Sequence, residues 1–496
     1  MRDVKSALSR RRLLSILGTA PLAGRAGLAQ EPAALDSSAA GRRFHHRQLG
    51  RTGKWVAPFG LGGQGALQWT PEGADPADIV VRAIELGVNY LDTANSYGPS
   101  QSHFNQAFRR LRLCPDQRPF NGALRERLFI AAKTAARYSR NPEQPDAPTA
   151  VPEMKRALSE LFGDGSGRFP EGAYLDSIQV ENIATLADVD AIYEGLSNRG
   201  GGRPERIGAL AGLRDYRDGT NYSGQNPDHR IHVKHIGITG HQSSMILMNA
   251  LQRDEDGVFD TLLVALNAND RNYCAHQNNV LPVAVAKGIG VVAMKAFADG
   301  VFYGKRTRFS QGPDDVVQSV GKEDGLSHLD LIRYPASLPG VACVVTGVGH
   351  IHRENPEDDQ IAVNLAAVVS DLVTLPERIK TEQELRSRGM TRTNYFQDPP
   401  TGLVQPGDVS AKKDGDRILV SWNSALAGAE AIQSYLVLAG ERLLLSVPFR
   451  PQTTLAPLTA VVPASSVGEE PVSVVASNLP AWMRRPENPG SGRGGR

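Results

Sequence analysis

The stretch "GVNYLDTANSYG", residues 87–98, decides how the fold of this chain is interpreted. A mostly apolar run, residues 88–91, ends abruptly at Asp92, and Tyr97 follows five residues later, directly before a Gly-Pro turn. Turn-forming residues after an apolar run are typical of the end of a strand. Taken alone, the pattern has two interpretations: a strand that ends in an ordinary polar loop, or a strand that carries a functional ionisable pair at its carboxyl end.

Further apolar runs recur along the chain and alternate with helix-compatible segments such as residues 75–87 and 279–288. Continuous apolar runs are typical of strands that are covered on both faces, and their alternation with helices predicts a parallel sheet. Eight such strands predict an α/β fold, a closed (β/α)8 or TIM barrel, which we place at residues 44–395. The runs cover residues 55–63, 88–92, 127–133, 174–181, 232–239, 261–267, 289–295 and 341–347.

Polar residues stand at or next to the carboxyl ends of six of these runs. In a parallel barrel the carboxyl ends of the strands meet at one face, where the loops converge on a single pocket. The sequence therefore predicts a functional site at that face. The six residues are Asp92, Lys133, Glu181, Thr239, Asn267 and Lys295.

Two connections are long: residues 134–150 follow the third run, and residues 196–230 separate the fourth run from the fifth. We expect both to hang near the predicted site, where they either shape substrate access or are inert surface insertions.

The pattern changes near residue 401, where short alternating strands replace the long apolar runs. Residues 401–480 predict a small all-β sandwich around Trp422, similar to a fibronectin type III or immunoglobulin-like module. We interpret it as a domain that packs on the barrel or contacts another protein or a carbohydrate. Residues 481–496, rich in glycine, proline and arginine, predict a disordered tail.

Composition excludes several classes of protein. The formal net charge of +2 gives no reason to expect a nucleic-acid partner. The three cysteines, Cys114, Cys274 and Cys343, are odd in number and widely spaced, which favours neither a disulfide framework nor a zinc site. Since no run of 18 apolar residues exists, no stable membrane span is expected.

The N-terminus predicts export. Residues 9–30 have an arginine-rich start, a modestly apolar middle and a small-residue end, which is the architecture of a signal peptide. Arg10, Arg11 and Arg12 before an apolar run resemble a twin-arginine signal, which implies a bacterial protein exported in folded form to the periplasm or beyond. We assign residues 1–29 to this signal; a disordered basic tail is the alternative.

Asp92, Tyr97 and Lys133 together suit proton transfer to a carbonyl oxygen. A tyrosine has a pKa near 10 and is a poor acid or base at neutral pH. A neighbouring ammonium lowers that pKa, and a carboxylate behind the ammonium keeps it charged and in place. Such a tyrosine can protonate a carbonyl oxygen while a hydride reaches the carbon, or act in reverse on an alcohol.

From residue 48 to residue 368 the chain resembles the aldo-keto reductases. "LGRTGKWVAPFGLGG", "GVNYLDTANSYG", "FIAAK", "IGITGHQ", "KGIGVVAMKAF" and "GVACVVTGVG" match stretches of that family in order. The resemblance implies that Tyr97 is the proton donor, that Lys133 modulates its pKa and that Asp92 is the partner of the lysine. It also implies a small carbonyl or alcohol substrate, such as a sugar or an enone, and a nicotinamide cofactor, NADPH more than NADH.

The chain departs from the family at the fourth catalytic position and in the nicotinamide pocket. Glu181 stands where the family usually has histidine; protonated it could donate to a substrate carbonyl, whereas ionised it would repel negative charge on that oxygen. Gly240 follows Thr239 where a Ser-Asn pair is usual, with His241 matching the next histidine, and Leu263 replaces a glutamine.

The resemblance extends to further site residues. Trp69 is a candidate for substrate contact, with simple packing as the alternative, and Arg353 is either a partner of a 2′-phosphate or a solvated surface charge. Backbone N–H groups near Gly300 are expected to face a pyrophosphate. The residues expected at the cofactor are Gly63, Thr239, Asn267, Lys295, Gly300, Arg353 and Asn364.

Two other classes of function compete with an exported oxidoreductase. Because of Glu181, Gly240 and Leu263, the barrel could have lost efficient catalysis and act as a carbohydrate-binding or cell-surface binding protein. A metal-dependent isomerase on the same fold is weaker, because no set of carboxylate and histidine ligands is evident and no metal is expected.

Overall fold

The computed structural model describes residues 44–197, 204–273, 276–318, 327–388, 403–425, 430–484 and 486. The predicted signal peptide, Cys274 and most of the predicted disordered tail lie outside these ranges. Within them, no helix is long and apolar enough to cross a membrane.

The first part of the chain is built from strands and helices in alternation. Its strands are β1 (Arg47–Gln48), β2 (Trp55–Val56), β3 (Phe59–Gly65), β4 (Tyr90–Asp92), β5 (Phe129–Thr134), β6 (Tyr138–Arg140), β7 (Leu175–Val180), β8 (Ile207–Gly208), β9 (Val233–Gly240), β10 (Phe259–Ala265), β11 (Gly290–Met294) and β12 (Val341–Val348). Its helices are α1 (Pro76–Glu85), α2 (Ser100–Arg110), α3 (Gly122–Arg127), α4 (Ala150–Phe162), α5 (Leu186–Tyr193), α6 (Ala209–Asp218), α7 (Ser244–Arg253), α8 (His276–Ala286), α9 (His328–Ala336), α10 (Gln360–Val368) and α11 (Leu375–Ser387).

Eight of these strands close a parallel barrel in the order β3-β4-β5-β7-β9-β10-β11-β12. Each apolar run predicted as a barrel strand overlaps one of them, so the predicted (β/α)8 barrel is confirmed. The strand register aligns Asp92 with Ala131, and Lys133 with Gln179. Residues that end neighbouring strands are therefore brought to the same face of the barrel.

Alternation along the strands explains why ionisable residues point into the barrel. In β5, Ile130 and Ala132 belong to the large core between strands and helices, whereas Phe129 and Ala131 belong to the barrel interior. Because successive side chains of a strand face opposite sides, Lys133 continues the interior series. Leu49, from the β1–β2 hairpin, packs in the same interior cluster and so closes the opposite end of the barrel.

The structure differs from the sequence-based expectation in three segments. The first predicted strand, residues 55–63, is divided: β2 pairs with β1, and the barrel strand β3 begins only at Phe59. The long connections at 134–150 and 196–230 contain structure of their own, because β6 from one pairs antiparallel with β8 from the other, and α6 follows β8. The alternation of apolar residues in β6 and β8 is too short to have predicted this pairing.

The second part of the chain has two antiparallel sheets over a common core. Trp422 is fully buried and packs with Tyr435 of the opposite sheet, ring centroids 5.5 Å apart. The arrangement is the predicted all-β sandwich, but two strands escaped prediction, of which β13 is exposed at every position and so shows no alternation. The elements are β13 (Ser410–Asp414), β14 (Arg417–Trp422), β15 (Ser434–Ala439), β16 (Arg442–Pro448), β17 (Leu458–Pro463), α12 (Ala464–Val467) and β18 (Val472–Ser477), in sheets β13-β14-β17 and β16-β15-β18.

Candidate active site

Asp92 and Lys133 form a buried ion pair where β4 and β5 end. The Lys133 Nζ donates to Asp92 Oδ1 and also, at 3.0 Å, to the Thr93 carbonyl. Gln179, from β7, donates its Nε2 to Asp92 Oδ2 at 2.9 Å. Burial raises the pKa of Asp92, while the Lys133 ammonium and the Gln179 amide act in the opposite direction. Both carboxylate oxygens thus have a donor, which is what a buried charge requires.

Tyr97 lies in the turn after β4, half-buried, with its ring over the same lysine. The Lys133 Nζ lies 4.7 Å from the centre of the Tyr97 ring. An ammonium at this distance is attracted to the face of the ring. The structure therefore brings together the three residues that the sequence predicted as a proton-transfer group.

Glu181 follows β7 directly and is partly buried beside this group. Its N–H donates to the Thr134 carbonyl at 2.8 Å, which fixes its backbone against the end of β5. Burial raises the pKa of Glu181; Lys133 counteracts this, and Asp92 favours it. The shift is in the direction that a neutral, hydrogen-bond-donating carboxyl group requires.

A pocket of about 1070 Å³, partly open to solvent, extends from Asp92 and Tyr97 across the barrel mouth. Its floor includes Leu263 and Met294 from the barrel interior. Its walls are rich in glycine, which lets the backbone approach a ligand closely. The predicted residues Gly63, Lys295, Gly300 and Asn364 line it, together with the glycines Gly62, Gly65, Gly347 and Gly349.

Lys295 and Lys305 share one carboxylate at the far side of this pocket. The Lys295 Nζ lies 2.9 Å from Asp299 Oδ1, and the Lys305 Nζ lies 2.6 Å from Asp299 Oδ2. Lys295 also donates to the Gln64 side chain at 3.4 Å. Burial raises the pKa of Asp299, but the two ammonium groups lower it more. Among the described residues, this cluster therefore holds two ammonium groups against one carboxylate.

The loop that carries this cluster is strained. Lys295, Ala298 and Asp299 have φ values of 60°, 49° and 57°, and Gly300 has 89°. The left-handed region costs a non-glycine residue on the order of 1 kcal/mol, and such strain is concentrated at functional sites. A Cβ at Gly300 would lie 3.0 Å from Val317, so both φ and space favour glycine there.

Asn364 belongs to a hydrogen-bonded chain at the end of the pocket. Its Oδ1 lies 2.7 Å from His328 Nε2, and its Nδ2 donates to the Thr346 hydroxyl at 3.3 Å. His328 Nδ1 is bonded to the Tyr303 hydroxyl, and the imidazole stacks on Phe297 with centroids 4.8 Å apart. This series of hydrogen bonds holds the wall of the pocket in one arrangement.

Thr239 and Asn267, predicted at the cofactor, are engaged inside the protein. The Thr239 hydroxyl accepts from the Asn182 N–H at 2.8 Å, and Asn267 bonds to Asp270 N–H and to the Lys295 carbonyl. Neither is among the residues that line the pocket. Their roles as cofactor contacts stay predictions.

Arg353 and Trp69 also lie away from the pocket lining. Arg353 is held on α1 by Asp78, at 3.1 Å from Nε, and by Glu85, at 2.7 Å from Nη1. The Trp69 indole N–H is buried and has no hydrogen-bond partner among the described residues. Their functional roles remain untested.

Sequence reasoning missed several residues of the site. Gln179 lies two positions before Glu181 on the same strand face, so alternation could have identified it. Asp299, Lys305 and Tyr303 depend on the conformation of the segment after β11, and Tyr303 reaches His328 at the start of α9, a contact that no periodic pattern encodes.

The donor set of the pocket fits a nicotinamide dinucleotide. The Lys295 side chain and a glycine-rich wall suit an elongated anion, and apolar side chains at the inner end suit a flat ring. In the described part of the chain, no group of three or more His, Cys, Asp or Glu side chains is placed to hold a metal ion.

One protein-family model matches part of the barrel. Residues 59–184 match the model of the "Aldo/keto reductase family", about a quarter of the chain. No curated protein matches the sequence significantly.

Solved structures of aldo-keto reductases are similar to the chain at low identity. An aldo/keto reductase from Klebsiella pneumoniae in complex with NADP and acetate is 16% identical, with a TM-score of 0.40 over 68% of this chain and 94% of that one. The same organism's enzyme in complex with NADPH gives 16% and 0.41 over the same shares. A protein from Pseudomonas aeruginosa, provisionally named an aldo-keto reductase, is 20% identical, with a TM-score of 0.39 over 65% and 94%. The segment of the barrel that carries Asp92, Tyr97, Lys133 and Glu181 thus matches the aldo/keto reductase family model.

Proposed function

We propose that the barrel is an NAD(P)-dependent oxidoreductase of the aldo-keto reductase type that interconverts a small carbonyl compound and its alcohol. The observation that carries the proposal is the position of Lys133, whose ammonium is bonded to buried Asp92 and lies 4.7 Å from the Tyr97 ring, at the inner end of the glycine-rich pocket. This arrangement suits a tyrosine that gives or takes a proton near neutral pH.

Tyr97 acts as the proton donor in reduction. The chemistry that a dihydronicotinamide would supply when bound is the transfer of a hydride to a carbonyl carbon. The Tyr97 hydroxyl gives its proton to the carbonyl oxygen, and the resulting phenolate is stabilised by the Lys133 ammonium until solvent restores the proton. Asp92 holds that ammonium in place and charged. In oxidation of the alcohol, the same groups act in reverse.

The cofactor is held along the pocket by residues that line it. Lys295 and the backbone near Gly300, which line the pocket, would hold the pyrophosphate, and Asn364 would hold the adenosine part. We infer that the barrel prefers NADPH to NADH, as its resemblance to the family implies. Arg353 contributes to that choice only if it leaves Asp78 and Glu85.

Binding of the dinucleotide and the role of Tyr97 test the proposal directly. The purified protein is titrated with NADPH and NADH, and bound nicotinamide is sought by absorbance and mass spectrometry. Tyr97→Phe should abolish turnover of any substrate found and leave the dissociation constant of the dinucleotide nearly unchanged, because only the hydroxyl is removed. Absence of binding to either dinucleotide would overturn the oxidoreductase proposal, and a fully active Tyr97→Phe protein would overturn the role of Tyr97.

Glu181 selects the substrate through its protonation state. A neutral carboxyl donates a hydrogen bond to the substrate oxygen, and its raised pKa supports this form. Glu181→His should increase the reduction of simple aldehydes and ketones. Unchanged rates toward them would make Glu181 a bystander.

A binding protein with weakened catalysis is the second candidate. Thr239 and Asn267 use their polar groups inside the protein, so two side-chain contacts expected for a nicotinamide carboxamide are absent from the pocket lining. In that case the pocket or the sandwich holds a carbohydrate or another surface ligand. Titration with dinucleotides separates the two candidates, since only the first requires binding.

Export and the role of the sandwich are also proposals. The export signal rests on residues 9–30 alone. A reporter fused to residues 1–40 should lose translocation when Arg10 and Arg11 become lysine, and unchanged translocation would exclude the twin-arginine route. We propose that the sandwich is a fibronectin type III-like module that contacts a protein or carbohydrate. It also contacts the barrel, because the Gln252 side chain of α7 donates a hydrogen bond to the Gln452 carbonyl at 3.0 Å.

A further inference from the structure

We propose that Arg137 is a positioning residue of this site, whose guanidinium fixes the peptide carbonyls of Glu181 and Asn182 at the end of β7. The inference rests on the proposed function, because it assigns Arg137 to the placement of a group in the proposed active site. Arg137 lies between β5 and β6, in the first of the two long connections.

The guanidinium of Arg137 makes four hydrogen bonds around the Glu181–Asn182 segment. Nη1 donates to the Glu181 carbonyl and Nη2 to the Asn182 carbonyl, each at 3.0 Å. Nη1 also donates to the Ala135 carbonyl at 2.9 Å, and Nε donates to Asp188 Oδ1 at 2.7 Å. The planar fork thereby clamps two consecutive carbonyls and the first turn of α5, a geometry that lysine cannot reproduce.

The clamped backbone is one that needs support. Asn182 has a φ of 51°, in the left-handed region that asparagine tolerates better than most residues but still at a cost. Its N–H donates to the Thr239 hydroxyl at 2.8 Å, and its side-chain oxygen lies 3.0 Å from His241 Nδ1. The segment is therefore held by β9 on one side and by Arg137 on the other, which sets the direction in which the Glu181 side chain leaves the strand.

The pairing of β6 with β8 explains how Arg137 is itself held in place. Tyr138, the next residue, pairs with Gly208, and the Ala209 N–H donates to the Arg137 carbonyl at 2.9 Å. The two long connections, which we expected either to shape substrate access or to be inert insertions, thus hold Arg137 in place.

Arg137 also contributes charge. Burial raises the pKa of the Glu181 carboxyl, and four charged groups also act on it: Lys133 on β5, Asp92 on β4, Glu153 on α4 and Arg137. Arg137 and Lys133 lower the pKa of Glu181, and the two carboxylates raise it. Loss of the Arg137 cation removes one of the lowering effects, so the pKa of Glu181 should move upward.

The test compares Arg137→Gln and Arg137→Lys with Arg140→Gln as the matched control. Arg140 ends strand β6, three residues after Arg137, and donates to the Glu205 and Pro204 carbonyls. Two readouts that need neither substrate nor cofactor are used: hydrogen exchange of peptides that span residues 175–190, and a carbon-13 NMR titration of the Glu181 carboxyl, assigned with Glu181→Gln. Thermal melts verify that each variant is folded.

In Arg137→Gln, amide exchange around residues 181–184 should accelerate about tenfold or more, because hydrogen bonds from a charged donor are lost. The pKa of Glu181 should rise in the same variant. Arg137→Lys keeps the cation but not the fork, so exchange should accelerate while the pKa of Glu181 moves less. Arg140→Gln should leave both unchanged.

Three results would overturn the inference. The first is an Arg137→Gln protein whose amide exchange and Glu181 pKa both match those of the unsubstituted protein. The second is an Arg140→Gln protein in which both quantities change as much as in Arg137→Gln. The third is an Arg137→Lys protein with normal amide exchange and a normal Glu181 pKa. If Arg137→Gln does not fold, Arg137→Lys decides the matter through its exchange rates. Failure of the proposed function is a separate result, because it is detected as absence of dinucleotide binding by the unsubstituted protein.

Discussion

Two lysine–aspartate clusters lie at the mouth of the barrel, and they are built differently. Asp92 and Lys133 are almost fully buried, and Gln179 occupies the second carboxylate oxygen, so that cluster is closed. Asp299 is shared by Lys295 and Lys305 in a strained loop that lines the pocket, so that cluster has a surplus cation and borders open space. The closed cluster keeps Asp92 and Lys133 in one arrangement, whereas the second cluster places two ammonium groups and one carboxylate at the edge of the pocket.

The largest difference between the clusters should appear when one lysine is removed from each. Lys133→Met leaves the buried Asp92 carboxylate without its cation, which should lower the free energy of unfolding by about 3–5 kcal/mol and abolish turnover. Lys305→Met leaves Lys295 on Asp299, so its stability loss should be only about 1.5 kcal/mol. Chemical denaturation of both variants measures the contrast. Equal losses would show that the clusters do not differ in this way.

Removal of the neutral donor tests whether the first cluster depends on being closed. Gln179→Leu deprives Asp92 Oδ2 of its hydrogen bond and should lower the free energy of unfolding by about 1–3 kcal/mol. Ser177→Ala is the control, because Ser177 faces the same side of β7 and its hydroxyl lies 3.3 Å from the Thr261 hydroxyl, a long contact between neutral groups. A Gln179→Leu protein as stable as the Ser177→Ala protein would contradict a structural role for the third member.

Acidification should weaken the second cluster. Burial raises the pKa of Asp299, but Lys295 and Lys305 shift it below that of the unfolded chain. The ionised carboxylate therefore stabilises the folded state above the unfolded pKa, near 4, and this stabilisation of about 1 kcal/mol is lost as the pH falls through the folded pKa. The difference in unfolding free energy between the unsubstituted protein and Asp299→Asn should shrink on acidification below about pH 4. A difference that is independent of pH would refute the assignment.

The sequence predicted the first cluster far better than the second. Asp92 and Lys133 are placed by strand ends and by alternation, which are local patterns, and Tyr97 follows in the turn after β4. The barrel brings neighbouring strand ends together whatever the other loops do. Asp299 and Lys305 meet because of left-handed residues in a loop, which no periodicity encodes. For the same reason, the sequence could identify Arg353 as a cation but could not show that α1 carboxylates already engage it.

The smallest expected effect is a change in dinucleotide affinity that depends on Arg353. It tests whether a cation outside both clusters reaches the cofactor. Asp78→Asn combined with Glu85→Gln removes both carboxylates that hold the guanidinium, at 3.1 and 2.7 Å, without changing Arg353 itself. If Arg353 is the partner of a 2′-phosphate, the released side chain should strengthen NADPH binding a few-fold and leave NADH binding unchanged, because an exposed ion pair contributes about 1 kcal/mol or less. Arg353→Ala should then weaken NADPH binding by a similar factor. Parallel titrations with the two dinucleotides measure both variants. An unchanged ratio of the two affinities in both would leave Arg353 as a surface contact to α1 and would confine recognition of phosphate to the loop of Lys295 and Lys305.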